Sequence, residues 1–115
     1  MKADNVELLR GTLDLLILRA LSIQSTHGYG VVRWIERATG EALRIEEGSL
    51  YPALYRLQQR DWVESEWGVS ENNRRARYYR LTRKGRQQLT VEVDAFTRFA
   101  RAVFLALETS TVAAS

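Results

Sequence analysis

A chain of 115 residues with 45% apolar and 27% charged side chains is long enough for one hydrophobic core and an appendage, and it has no cysteine for a disulfide framework, a zinc ribbon or a thiol nucleophile. No secretory leader is read in the charged opening residues 1–10, and the longest apolar runs, 15–18 and 102–107, are far shorter than the roughly 20 residues that span a bilayer, so a cytoplasmic protein without membrane contact is expected. The net charge of +3 is only a weak sign of a polyanionic partner until its distribution is followed along the chain.

The first periodic stretch covers residues 12–22. Leu13, Leu16, Ile17, Ala20 and Leu21 repeat at the spacing of one helix face. Thr12 is placed to cap its start, and Asp14 suits the positive end of the helix dipole. Leu15 and Leu18 add apolar area on another side, leaving little but Asp14 and Arg19 for water. A helix apolar nearly all round must be covered from two directions, and a second copy is expected to supply one cover.

Residues 25–28, Ser-Thr-His-Gly, are read as a break. A second helix is expected over 29–38, with Val31, Trp34, Ile35 and Ala38 on one face and Gly40 at a left-handed C-terminal cap. After a connector over 41–45, a third helix begins between Glu46 and Ser49. Pro52 lacks an amide hydrogen and is expected in the first turn, where amide donors have no intrahelical partner. Leu50, Ala53, Leu54 and Leu57 form its inner face, while Ser49, Tyr51, Pro52, Tyr55, Arg56, Gln59 and Arg60 point elsewhere.

Past Asp61 the period becomes two. Val63, Ser65 and Trp67 alternate with Glu64 and Glu66 as in a half-exposed strand, 68–73 is turn-like, and 74–81 returns as a second strand. With Tyr79 and Leu81 toward the core, Arg75 and Arg77 share their parity but lie toward the hairpin tip. The expected class is mainly α with a small β-hairpin, an α+β fold: a winged helix-turn-helix over residues 1–81. The charges also sort here. Between Asn72 and Val91 there is no Asp or Glu, yet Arg74, Arg75, Arg77, Arg80, Arg83, Lys84 and Arg86 fall there beside Tyr78 and Tyr79. A block of one sign interleaved with aromatics meets an anion more often than plain solvent.

Thr82 is read as the N-cap of a terminal helix over 82–107, roughly 39 Å long at 1.5 Å per residue. Leu89, Val93, Phe96, Ala100, Val103 and Leu107 step by four and three in a heptad seam. The seam is read as a dimerisation surface, with continued contact to the chain's own core as the alternative. Residues 108–115 are expected to fray. The basic Arg83, Lys84 and Arg86 sit at the positive end of this helix's dipole, a penalty that a nearby polyanion reverses.

Four blocks resemble the PadR family of bacterial repressors: Leu9-Arg10-Gly11-Thr12-Leu13; His27-Gly28-Tyr29-Gly30; Gly48-Ser49-Leu50-Tyr51-Pro52-Ala53-Leu54; and Arg77-Tyr78-Tyr79-Arg80-Leu81-Thr82 with Gly85 beyond. The last three, in this order and spacing, carry the specificity of the match, which covers residues 8–107. The resemblance implies a winged-helix DNA-binding domain, a C-terminal dimerisation helix, and repression that a small molecule relieves. The short C-terminal part is similar to the compact members with one terminal helix.

The partners expected are therefore double-stranded DNA, a second copy of the chain, and a small aromatic ligand; no cofactor and no metal are expected. The DNA-binding set is Tyr29, Ser49, Tyr51, Pro52, Tyr55 and Arg56, with Arg74, Arg75 and Arg77 on the wing for phosphate or minor-groove contact. Packing of Tyr51 and Tyr55 against the second helix is the alternative for those two. The dimerisation set is Leu13, Leu16 and Ile17 with Leu89, Val93, Phe96, Ala100, Val103 and Leu107. Phe96 and Phe99 are the candidate ligand slot, against plain core filling. Catalysis is not expected: His27 is the sole histidine, no Gly-x-Ser-x-Gly elbow exists, and Gly28-Tyr29-Gly30 lacks the rest of a dinucleotide fingerprint. Two other classes stay open, a winged-helix protein assembly module and an RNA-binding winged helix.

Overall fold

The structure, a computed structural model, describes residues 10–111. The leader reading, Leu9 of the first block and the end of the tail lie outside the described residues. The chain runs α1 (Arg10–Ile23), β1 (Thr26–His27), α2 (Gly28–Ala38), α3 (Glu47–Gln59), β2 (Val63–Val69), β3 (Arg75–Leu81) and α4 (Arg83–Glu108).

Helix α1 already includes Arg10, so Thr12 lies within it rather than at its cap. It runs through the middle of the molecule, packed against α2, α3, α4 and β3. Ile17, Leu18 and Leu21 are fully enclosed, and Leu15 and Leu16 lie half-buried against the same core. The two covers that an all-round apolar helix needs thus come from this chain's own elements. Leu13 and Ile17, assigned from sequence to a partner contact, are covered within this chain, while Leu15 and Leu16 keep part of their surface open.

The stretch read as a break contains a short strand. Thr26 pairs with Tyr79 and His27 with Tyr78, giving a three-stranded antiparallel sheet in the order β1-β3-β2. His27 also caps α2, its Nδ1 accepting the Gly30 N–H at 3.1 Å. At the other end of α2 the Gly40 amide donates to Arg37 O at 3.0 Å and Glu41 to Glu36 O at 2.7 Å, with Gly40 at φ +59°. That is the left-handed cap expected at Gly40, closing two carbonyls the helix leaves open.

Helix α3 buries Leu50, Ala53, Leu54 and Leu57 as its spacing requires. Pro52, however, is the sixth residue of the helix rather than part of its first turn. The bond it cannot make would have gone to the Gly48 carbonyl, and both residues lie on the exposed side, where water can satisfy that oxygen. In the hairpin, Val63 opposes Leu81 at the base and Val69 opposes Arg75 near the tip. Ser70 and Arg74 close the loop, with Asn73 at φ +59°. Thr82 caps α4 as expected: its Oγ1 accepts the Gly85 N–H at 2.9 Å and donates to Asp61 O at 2.6 Å. Of α4 only Gly85 and Leu89 are buried, and the helix runs on past the core, so the molecule measures 62 Å along its longest axis. Among the described residues no helix is long and apolar enough to cross a membrane.

Candidate nucleic-acid interface

The exposed side of α3 is a single stripe. Gly48, Tyr51, Pro52, Tyr55 and Gln59 recur at helical spacing opposite the buried leucines, so burying one set fixes the other outward. Tyr55 is 63% exposed and Tyr51 46% exposed. Tyr51 also rests on α2: its hydroxyl lies so close to Gly28 that a side chain there would displace it. The packing against the second helix left open for Tyr51 is therefore present, with the ring still partly exposed. Tyr29, at the start of α2, is 67% exposed and faces Tyr51 across a groove of about 290 Å³. Ser49 is half-buried.

Arg56 is not in the stripe. Its Nη2 donates to Asp14 Oδ1 at 2.7 Å, and both side chains are largely covered, so it ties α3 to α1. Periodicity placed it on the reader's surface because its partner is far away in sequence. Glu46 and Glu47 are exposed at the start of α3, where the helix dipole favours them but a phosphate would be repelled.

The wing carries a second cluster on the sheet face that packs on the core. Along that face β2 presents Val63, Ser65, Trp67 and Val69, and β3 presents Leu81, Tyr79, Arg77 and Arg75. The first members are buried; the later ones have run past the helices. Gln58 of α3 donates to Ser65 Oγ at 3.1 Å, and Arg77 Nε donates to the same oxygen at 3.0 Å. The Arg75 and Arg77 guanidinium carbons lie 4.5 and 5.2 Å from the centre of the Trp67 ring. Neither arginine has a carboxylate partner among the described residues. Trp67, Ser65 and Gln58 were not assigned to the site from sequence. The signal was there in the alternation, since an apolar residue of core parity beyond the last helix has no core to enter.

The one-sign block is divided by the fold. Arg74, Arg75 and Arg77 stand on the outer half of the wing. Arg80 points to the other sheet face and pairs with Glu64 at 2.9 Å and Glu66 at 3.4 Å. The Glu64 hydrogen bond, then the charges of Glu64 and Glu66, raise its pKa further. Arg83, Lys84 and Arg86 lie past the hairpin base, on the first turn of α4. Beneath the wing, burial pushes the Tyr79 phenol above its usual pKa, with Tyr51 adding to the rise and Arg77 opposing it.

The terminal helix leaves Val93, Phe96, Phe99, Val103, Phe104 and Leu107 exposed, Phe96 at 42% and Leu107 at 75%. Ala100 is half-buried. Leu13, Ile17 and Leu89, assigned from sequence to a partner contact, are enclosed in the chain's own core, and Leu16 is half-buried beside it. The unpartnered part of the seam begins at Val93.

Three packed helices, a returning hairpin with a basic outer half, and a projecting apolar helix define a winged helix-turn-helix protein with an appended terminal helix. Residues 17–91 match the model of the transcriptional regulator PadR-like family. The chain belongs to that family, whose members regulate transcription. It is similar to a transcriptional regulator of Mycobacterium tuberculosis, 33% identical over 97 residues that cover 84% of this chain and 87% of the relative. The solved structure of a transcriptional regulator from Clostridium thermocellum overlays with a TM-score of 0.77 at 27% identity, over 90% of this chain and 99% of that one. Bacillus subtilis PadR, solved in complex with operator DNA, shares the fold at a TM-score of 0.62 and 21% identity, over 70% of this chain and 46% of its own.

Proposed function

We propose that the chain is a repressor that binds a pseudo-palindromic operator in duplex DNA as a homodimer, reading with residues 1–81 and pairing through residues 82–107. The observation that carries this reading is the wing. Arg75 and Arg77 stand without carboxylate partners among the described residues, on the sheet face that hydrogen-bonds to α3, next to an exposed stripe of aromatic and polar side chains. Cations on the wing contact phosphate and groove, and the stripe meets base edges: the division of labour that specific DNA binding needs. Tyr29, Ser49, Tyr51, Pro52 and Tyr55 are the contact residues on the helices, with Arg74, Arg75 and Arg77 on the wing. Arg56 acts through its ion pair with Asp14.

The second copy is supported by the exposed apolar run from Val93 to Leu107, too large for one helix to leave in water. In the dimer Phe96 and Phe99 meet their symmetry mates beside Ala95, Ala100 and Ala102, and a planar aromatic ligand taken between them would release the operator. Such a ligand acts only if it binds the DNA-incompetent dimer more tightly than the competent one. B. subtilis PadR in complex with operator DNA supports the DNA reading by analogy of fold.

The test is a competition of fluorescent duplex DNA against unlabelled duplex, structured RNA and a bare polyanion. Duplex should compete best. Equal competition by the polyanion would refute a specific reader, preference for RNA would favour the RNA-binding class, and absence of binding would favour an assembly module.

A further inference from the structure

The outer wing holds two cations against one ring, an arrangement that general phosphate binding does not need. Trp67 is 55% exposed, in a place where a large ring gains little from burial. It lies directly opposite Arg77, with Arg75 on the diagonal, and both guanidinium groups fall within the range of attraction to its π face. Arg77 is further held by its Nε bond to Ser65, which Gln58 in turn anchors to α3. Of the three carboxylates on the hairpin, Glu64 and Glu66 are on the opposite face and occupied by Arg80, and Glu71 in the tip loop makes no ion pair with either arginine. Two like charges are thus kept close together with no ion-pair partner among the described residues.

We propose that Trp67 is a positioning residue that makes the wing selective for A·T-rich DNA beside each half-site; this rests on the reading of the chain as a duplex-DNA binder. Free arginines on a hairpin would swing apart to any two phosphates and tell one sequence from another poorly. Arginines two residues apart on a strand are roughly 7 Å apart along it, and the shared ring keeps their heads from spreading. A pair held in that way gains most where a narrow minor groove concentrates negative potential, which is the property of A·T-rich tracts. Selectivity then arises at base pairs that α3 does not reach.

The experiment is selection of binding sites from a random duplex pool by the wild type, W67A, W67F and the charge-conserving double variant R75K/R77K. Melting temperature and salt dependence are followed for each. The wild type should enrich half-sites flanked by A·T pairs. W67A should keep the core half-site, and both W67A and R75K/R77K should keep the slope of affinity against salt, because every positive charge remains. Both should lose preference for the A·T flank by roughly 2- to 5-fold for each arginine released, and W67F, which retains a π face, should recover part of it. Flank preference unchanged in W67A overturns the proposal, as does a wild type that selects half-sites with no A·T flank while its DNA binding stands. A wild type that selects no duplex at all defeats the DNA-binding reading itself, and the proposal with it. If W67A does not fold, R75K/R77K decides: it leaves the ring in place and removes only the planar cations, and an unchanged flank preference there is equally fatal.

Discussion

Replacing Asp14 or Arg56 by alanine separates a structural arginine from a DNA-reading one. The pair spans α1 and α3 at 2.7 Å, with side-chain exposures of 19% for Asp14 and 26% for Arg56. Exposed ion pairs contribute about 0.2–1 kcal/mol, and removing one partner of a buried pair costs about 3–5 kcal/mol. A pair about three-quarters covered falls between these limits, so each single variant should lose about 1–2 kcal/mol. The double variant should lose little more, because its second substitution no longer strands a charge. Urea unfolding of the wild type, D14A, R56A and D14A/R56A gives the coupling energy directly. If Arg56 acts through the fold, D14A and R56A should weaken DNA binding alike and leave the salt slope unchanged. A coupling energy below about 0.3 kcal/mol, together with a salt slope that falls only in R56A, would refute the structural assignment and return Arg56 to the DNA contact set.

Phe96→Glu should give a folded monomer in sedimentation, since the ring is already 42% exposed within one chain and its charge is intolerable only against a partner; a stable dimer in F96E would refute the seam. Gly85→Ala should lower stability by about 1–3 kcal/mol, because the added methyl overlaps the Trp62 carbonyl oxygen, and a net gain in thermal melting would contradict that packing. The helix-propensity gain of about 1 kcal/mol is too small to reverse the sign. With three free wing arginines on each protomer, a dimer should neutralise about six phosphates and lose about 10³-fold in affinity between 50 and 200 mM salt; a salt-independent affinity would sink the wing contact.

What was legible in the sequence was whatever has a local period. The inner face of α3, the alternation of β2, the Gly40 cap and the Thr82 cap are each written within a few residues. The strand Thr26–His27 was not, because two residues carry no period and the partner that makes them a strand, Tyr78–Tyr79, lies about fifty positions away. Helix α1 showed its all-round apolarity, but periodicity cannot say whether the cover comes from the same chain, and here α2, α3, α4 and β3 supply it. The same limit misassigned Leu13, Ile17 and Leu89, which satisfy a seam pattern and a core pattern equally well. In the site, the exposed stripe of α3 and the wing arginines were legible as the complement of what had to be buried. The role of Arg56 was not, since it is defined by Asp14 at a distance of 42 positions; the exposure of Trp67 could be read from its parity, but not its contact with two cations across a strand.

The most direct test of a two-fold DNA reader is a hydroxyl-radical footprint of the purified wild type on a duplex recovered from the random pool. Two protected patches of equal strength should appear on one side of the helix, about 34 Å apart and related by a dyad in the selected sequence, one for each winged helix. A single patch at saturation, or protection spread evenly along the duplex, would contradict it.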